Sequence, residues 1–315
     1  MVILIFGGAL LAFYPALMTS DSPDQINQAM NNEYSNAHPV FHSYLMGNIT
    51  KIFGSVSAVA ALQILVFAFI WTSACKVTRR ENSNLLNKIF QVLFTFIICI
   101  IPVNFMFSIT LWKDILYTYA ILGILVCIYI GIKKNYNYSY LEMFAIAVSN
   151  VFIMQTRHNG MPIGAILFII LIGLNLLKNK KVKKTIIFIL ISIITLVCSY
   201  IPQWTVNVKK SSTTTGAFTN AKVYCMGALL NNENVKLTEE ETEILNTILP
   251  IEEWKESYSP YTGVPIQFHE QYDKEQLAEH TEEFEEIFAK YAKQEPKTLL
   301  KHFLSTNSIT FSIRQ

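Results

Sequence analysis

Seven apolar runs dominate the first two thirds of the 315-residue chain: roughly 2–18, 55–75, 89–110, 115–132, 141–155, 161–177 and 185–201. Inside hydrocarbon a backbone must satisfy its own N–H and C=O groups, so repeated runs of this kind read as membrane-spanning helices. Several are short against the ~20 residues that a helix needs to cross a ~30 Å core. LEMFAIAVSNVFIMQ (141–155) is the weakest. With 52% hydrophobic and 15% charged residues and a mean hydropathy of +0.34, the composition argues against a soluble domain. The fold class expected is all-α: a polytopic membrane module over 1–201, then a soluble, mostly helical region over 202–315.

Charge supports that division. Residues 1–201 carry 14 Lys and Arg against 6 Asp and Glu, whereas 202–315 carry 11 against 17. If the odd-numbered runs point outward, the inner loops hold 11 cations, among them Lys76, Arg79, Arg80, Lys88 and the KNKKVKK stretch. The outer loops then hold only Lys51, Lys113 and Arg157. Positive charge prefers the cytoplasmic side, so this bias sets the orientation. It predicts a multi-pass plasma-membrane protein with 19–54, 111–114, 156–160 and the C-terminal region outside the cytoplasm. Run five is needed to keep TRR and KNKKVKK on one side.

A signal peptide over 2–18 would need a basic n-region and a small-x-small cleavage site, and neither is convincing before Asp21. A start directly inside a span is compatible with a chain trimmed at its N-terminus, and further spans could follow Gln315. Cys75, Cys99, Cys127, Cys198 and Cys225 show neither disulfide nor zinc spacing.

The spans carry no charge near their centres; Gln63, Gln91, Asn104 and Asn150 are the polar exceptions. Ionisable groups gather instead in the three outer loops. The first, TSDSPDQINQAMNNEYSNAHPVFH, holds Asp21, Asp24, His38 and His42. SPDQ predicts a helix start with Ser22 as N-cap and Pro23 in first position. HPVFHSYLMGNI predicts a second helix from Pro39, with His38 and His42 four apart on one face. The second loop offers Trp112 as an interfacial anchor beside Lys113 and Asp114. The third, TRHNG, offers Arg157, His158 and Asn159, with Gly160 for a tight turn. The guanidinium of Arg157 can clamp a phosphate. Duller roles compete: Asp24 as a helix-dipole complement, His38 as a cap, His42 packed under Tyr44, and Arg157 snorkelling.

In the C-terminal region, Thr238 and Glu241 form a capping-box pattern, with Ile244, Leu245 and Ile248 on one face before Pro250. KEQLAEHTEEFEEIFAKYAKQ carries a stripe of Leu277, Phe284, Ile287, Phe288 and Tyr291. Pro296 opens another helix, interfacial in character, and SSTTTG (211–216) is a linker by composition.

An acidic motif just after the first span, an acid at the end of the third, and a seven-span module followed by an outer domain resemble the membrane glycosyltransferases of the GT-C superfold. YPALMTSDSPDQINQAM…HPVFHSYLMGNI, with WKDILYTY and RHNG, also resembles a multi-span group from Gram-positive bacteria carried as a domain of unknown function. The resemblance implies inverting transfer of a sugar from a polyprenyl-phosphate donor to a cell-envelope acceptor on the extracytoplasmic side. Its partners would be that lipid-linked donor, the acceptor and membrane lipids, with no nucleic acid. By motif, Asp21 would be the general base, Asp24 its neighbour or alternative, and Asp114 the second acid. In some relatives that acid orients the acceptor or holds a divalent cation, Mg or Mn; here it follows a lysine rather than a second acid. Lys113, Arg157, His38, His42, His158 and Asn159 would face the phosphate. A transporter or flippase of an amphipathic or lipid-linked substrate is the alternative, and a non-catalytic anchor displaying the acidic region is a third.

Overall fold

The computed structural model describes residues 1–36, 38–79, 85–209 and 216–308. Arg80 and residues 211–215 of SSTTTG lie outside them. The chain forms two compact units, Met1–Lys209 and Lys210–Gln315. The division falls beyond residue 201 because the last apolar helix of the first unit runs on to Thr205, and the strand after it, Val208–Lys209, pairs back into that unit.

The first unit begins with α1 (Val2–Ala12). The run expected to be helical to residue 18 stops there, because Pro15 has no N–H to continue the ladder. The chain then extends into β1 (Leu17–Met18). Two short helices follow, α2 (Asp21–Asn31) and α3 (Val40–Phe53), with β2 (Tyr34–Ser35) between them. α4 (Ser57–Thr78) is long and apolar. α5 (Leu85–Ile100) and α6 (Pro102–Ser108) meet at a bend of 68°. Pro102 cannot donate to the carbonyl four residues back, that of Ile98, and the Asn104 amide donates to it instead at 2.7 Å. After β3 (Thr110–Leu111) come α7 (Lys113–Lys133), α8 (Tyr140–Thr156), α9 (Gly160–Asn179), α10 (Val182–Thr205) and β4 (Val208–Lys209). Two parallel pairs, β1 with β3 and β2 with β4, join distant segments.

α7 packs on α4 and α8, and α8 packs on α9 and α10. Phe6, Phe67, Trp71 and Tyr119 stack in one part of the core. Tyr138, Met143, Ile146 and Phe188 fill another. The interior also holds buried Gln63, Asn150, Gln155, Asn175 and Thr185, while Leu65, Phe69, Phe90, Leu125, Ile169 and Ile194 face outward. Apolar outside and polar inside is the arrangement that hydrocarbon favours, and Gln63, Gln155, Asn175 and Thr185 make side-chain hydrogen bonds there. The unit is a membrane-embedded helical bundle. α4, α7, α9 and α10 are long and apolar enough to cross a membrane, with a fifth crossing if α5 and α6 form one bent span. Length and composition thus account for four or five crossings where the sequence reads seven; α1 has 11 residues and α8 has 17.

Contacts sort the loops into two ends. One gathers α2, α3, the starts of α7 and α9, and the end of α10. The other gathers the cations. There, Lys133 Nζ donates to the Val77 carbonyl, Lys134 pairs with Glu142 at 2.6 Å, and Lys184 reaches Asn137 at 2.7 Å. The amides of Asn175 and Asn179 both donate to the Tyr136 carbonyl.

The second unit holds α11 (Gly216–Leu230), α12 (Glu239–Ile248), α13 (Ile251–Glu256), α14 (Val264–Gln267), α15 (Lys274–Glu279), α16 (Thr281–Gln294) and α17 (Pro296–Thr306). Both halves of the Thr238–Glu241 capping box form. Leu277, Phe284, Ile287 and Tyr291 of the expected stripe are buried around Trp254 and Phe288 is half-buried against them, but the helix carrying them breaks at His280 into α15 and α16.

Candidate functional site

α2 starts one residue before Ser22, so Ser22 is not its cap. Its hydroxyl instead accepts from the Thr19 N–H at 3.0 Å and donates to the Leu111 carbonyl on β3. Together with the β1–β3 pairing, this brings the first turn of α2 to the first turn of α7.

Four of the predicted residues meet at that junction. Lys113 Nζ lies 2.8 Å from Asp21 Oδ2 and 3.4 Å from His38 Nδ1. His38 Nε2 lies 3.5 Å from Asp24 Oδ2. The ammonium is a donor only, so Nδ1 of His38 accepts, which leaves the proton on Nε2 to point at Asp24. The ring does not cap α3, whose N-cap is Pro39. Burial and the nearby Lys113 charge hold the His38 pKa below its ordinary value, against the pull of Asp21 and Asp24. Burial raises the Asp21 carboxyl, but Lys113 and His38 together outweigh it and hold the group below the usual carboxylate range. The Asp21 side chain is one third exposed, whereas that of Asp24 is 58% exposed. Gln28 fixes Asp24 from behind with an N–H donated at 2.8 Å, and its own carbonyl accepts from the Ser35 N–H.

The neighbouring residue on α7 faces a different hairpin. Asp114 Oδ1 is 3.2 Å from Arg157 Nε, at the end of α8, and the guanidinium lies over the Tyr117 ring at 5.5 Å. His158 lies close enough to His38 to disfavour its charged form. Asn159 is the N-cap of α9 and makes no capping side-chain bond. At Gly160 the chain passes so close to α8 that a Cβ there would sit 1.9 Å from the Ile153 carbonyl oxygen.

His42 stands apart. It is buried, its Nδ1 lies 2.6 Å from Gln25 Oε1, and burial pushes its pKa down to about 3. Its ring nitrogens touch none of the ionisable groups above. It is a neutral strut between α2 and α3.

Residues 29–311 match a family of unknown function, DUF6020. The chain belongs to that family. The matched stretch takes in His38, Lys113, Asp114 and Arg157 and begins after Asp21 and Asp24. No curated protein and no solved structure matches the chain.

In this DUF6020 member, several supporting residues escaped the sequence reading. Gln25 and Gln28 hold His42 and Asp24. Gln63, noted only as a polar exception, donates to both the Ser108 and Thr110 carbonyls and so fixes the approach to Lys113. Gln25 and Gln28 fall on the buried face of α2, which was the available signal. Among the described residues, no three His, Cys, Asp or Glu side chains group so as to hold a metal ion. Lys113 already supplies the cation between Asp21 and His38, so the junction does not fit a divalent-ion site. The arrangement can hold an anion at Lys113 and Arg157 and take a proton at an exposed carboxylate.

Proposed function

We propose that the protein is an inverting glycosyltransferase that uses a polyprenyl-phosphate sugar as donor and acts at the extracytoplasmic end of its membrane unit, on a cell-envelope acceptor. The observation that carries this reading is the convergence of ionisable groups from three separate loops at one end of the bundle: Asp21, Asp24 and His38 with Lys113, and Asp114 with Arg157. The opposite end carries the surplus of Lys and Arg, which supports placing the site outside. With the site outside, the chain passes from end to end seven times, α1 and α8 being the short passages.

Rupture of the sugar–phosphate bond leaves charge on the lipid phosphate, and cations aimed there lower the barrier. Lys113 and Arg157 take that role. The attacking hydroxyl must lose a proton. Asp24 suits this better than Asp21, because its carboxylate is open while Asp21 is tied to an ammonium and is a weaker base. Asp21 then positions Lys113. No second carboxylic acid is required, since a phosphate leaves without strong acid help.

The test is sugar transfer from labelled polyprenyl-phosphate hexoses and pentoses by the purified chain in liposomes. Asp24→Asn is expected to lower the turnover rate by about 10²–10⁴-fold with little change in KM. Asp21→Asn is expected to act mainly on KM for the donor. Failure of the folded wild-type chain to bind polyprenyl phosphate, or equal binding by Lys113→Gln with Arg157→Gln, sinks the proposal.

The bend between α5 and α6 favours a transporter reading, since broken helices form transporter sites. Those sites lie near the bilayer midplane, whereas the ionisable cluster lies at one end. Uptake of substrate that survives Asp24→Asn would favour transport.

A further inference from the structure

A cavity lies at the other end of the membrane unit from the ionisable cluster, among α4, α7 and α8. Its volume is about 610 Å³, within the usual range for small-ligand sites. Ile70, Val126 and Ala145 give it apolar walls. Gly123 and Ser149 line its depth, where α7 and α8 run so close that a Cβ on Gly123 would meet the Ser149 hydroxyl at 2.8 Å. Phe69 and Leu141 also line it and are 71% and 76% exposed, so it opens sideways toward hydrocarbon rather than only toward water.

Its mouth is cationic. Lys76, Arg79, Lys133 and Lys134 line it together with one carboxylate, Glu142. Glu142 is matched to Lys134 at 2.6 Å. Lys133 donates to the Val77 carbonyl, and Arg79 donates to the neutral Gln91 amide at 3.2 Å. Lys76 has no hydrogen-bond or ion-pair partner among the described residues. Among the described residues, three cations therefore face an apolar cleft with no carboxylate paired to them. A soluble anion would leave the walls empty, and an uncharged lipid would leave the cations unmatched.

We propose that this cavity binds an anionic phospholipid, with the phosphate at Lys76, Arg79 and Lys133 and an acyl chain between Phe69 and Leu141. The site is independent of the glycosyltransferase reading, because it shares no residue with the cluster at the opposite end.

Native mass spectrometry of the detergent-purified full chain tests it, with phosphatidylglycerol compared with phosphatidylcholine of identical chains. Phosphatidylglycerol is expected to be retained about tenfold better or more, given two or three cations near the phosphate. Lys76→Gln with Arg79→Gln should remove that preference, and Ala145→Phe should weaken retention of phosphatidylglycerol by filling the cleft. Thermal unfolding verifies that each variant is folded. Equal retention of the two lipids by the wild-type chain overturns the proposal without recourse to any variant. So does an unchanged preference in the double variant, undiminished retention by Ala145→Phe, or displacement of phosphatidylglycerol by equimolar glycerol phosphate.

Discussion

Lys113 and Asp114 are consecutive residues on one helical turn, yet they serve different hairpins, one reaching α2 and the other the end of α8. At 3.6 residues per turn, adjacent side chains on a helix point about 100° apart, so one turn of α7 can serve both neighbours. At this scale His42 makes a pH prediction. Its ordinary value is 6.5 and its folded value about 3, so the folded chain resists its protonation. The unfolded chain binds that proton first, and stability falls as pH drops from 6.5 toward 3. A shift of this size corresponds to a loss on the order of 4 kcal/mol. His42→Asn keeps an N–H for Gln25 and removes the titration. Unfolding midpoints measured across that pH range should fall less steeply for the variant than for the wild type; parallel curves would assign the acid sensitivity elsewhere.

Among the elements, α2 and α3 form the frame that presents Asp21, Asp24 and His38. Their contact depends on Gly47: a Cβ there would lie 1.9 Å from the Ala29 Cβ, so the helices must separate to admit it. Gly47→Ala is expected to cost about 1–3 kcal/mol. Adding Ala29→Gly should restore part of the loss, and thermal unfolding of the single and double variants measures both. This contact was not legible in the sequence, where Gly47 reads as one more residue of an apolar helix. Other features were legible for physical reasons. The Thr238–Glu241 cap is local, with both partners within one turn. The long apolar helices follow from hydropathy alone, as does the burial of Leu277, Phe284, Ile287 and Tyr291. What could not be read is set by distant partners. Ser22 looked like a cap but belongs to Leu111, and the pairing of Asp21 with Lys113 depends on the β1–β3 register. The helix endings at Ala12 and Ile100 were marked by Pro15 and Pro102, signals that the unbroken hydropathy of those runs masked.

For the whole molecule, the separation of charge between the two ends of the bundle makes an orientation prediction. With Cys75, Cys99, Cys127, Cys198 and Cys225 replaced, a cysteine placed at Ser20 should react with a membrane-impermeant maleimide on intact cells. One placed at Asn137 should react only after permeabilisation. The reverse pattern would put the ionisable cluster in the cytoplasm and remove the glycosyltransferase proposal. The pairing within that cluster has a broader consequence. Asp21 at Lys113 and Asp114 at Arg157 act as built-in rivals for any incoming anion. Chloride, sulfate or free phosphate brings nothing to outcompete a tethered carboxylate, whereas an anion carrying a long hydrocarbon tail brings adhesion to the bilayer as well. Discrimination at this end would then come from what a guest must dislodge rather than from how closely it fits.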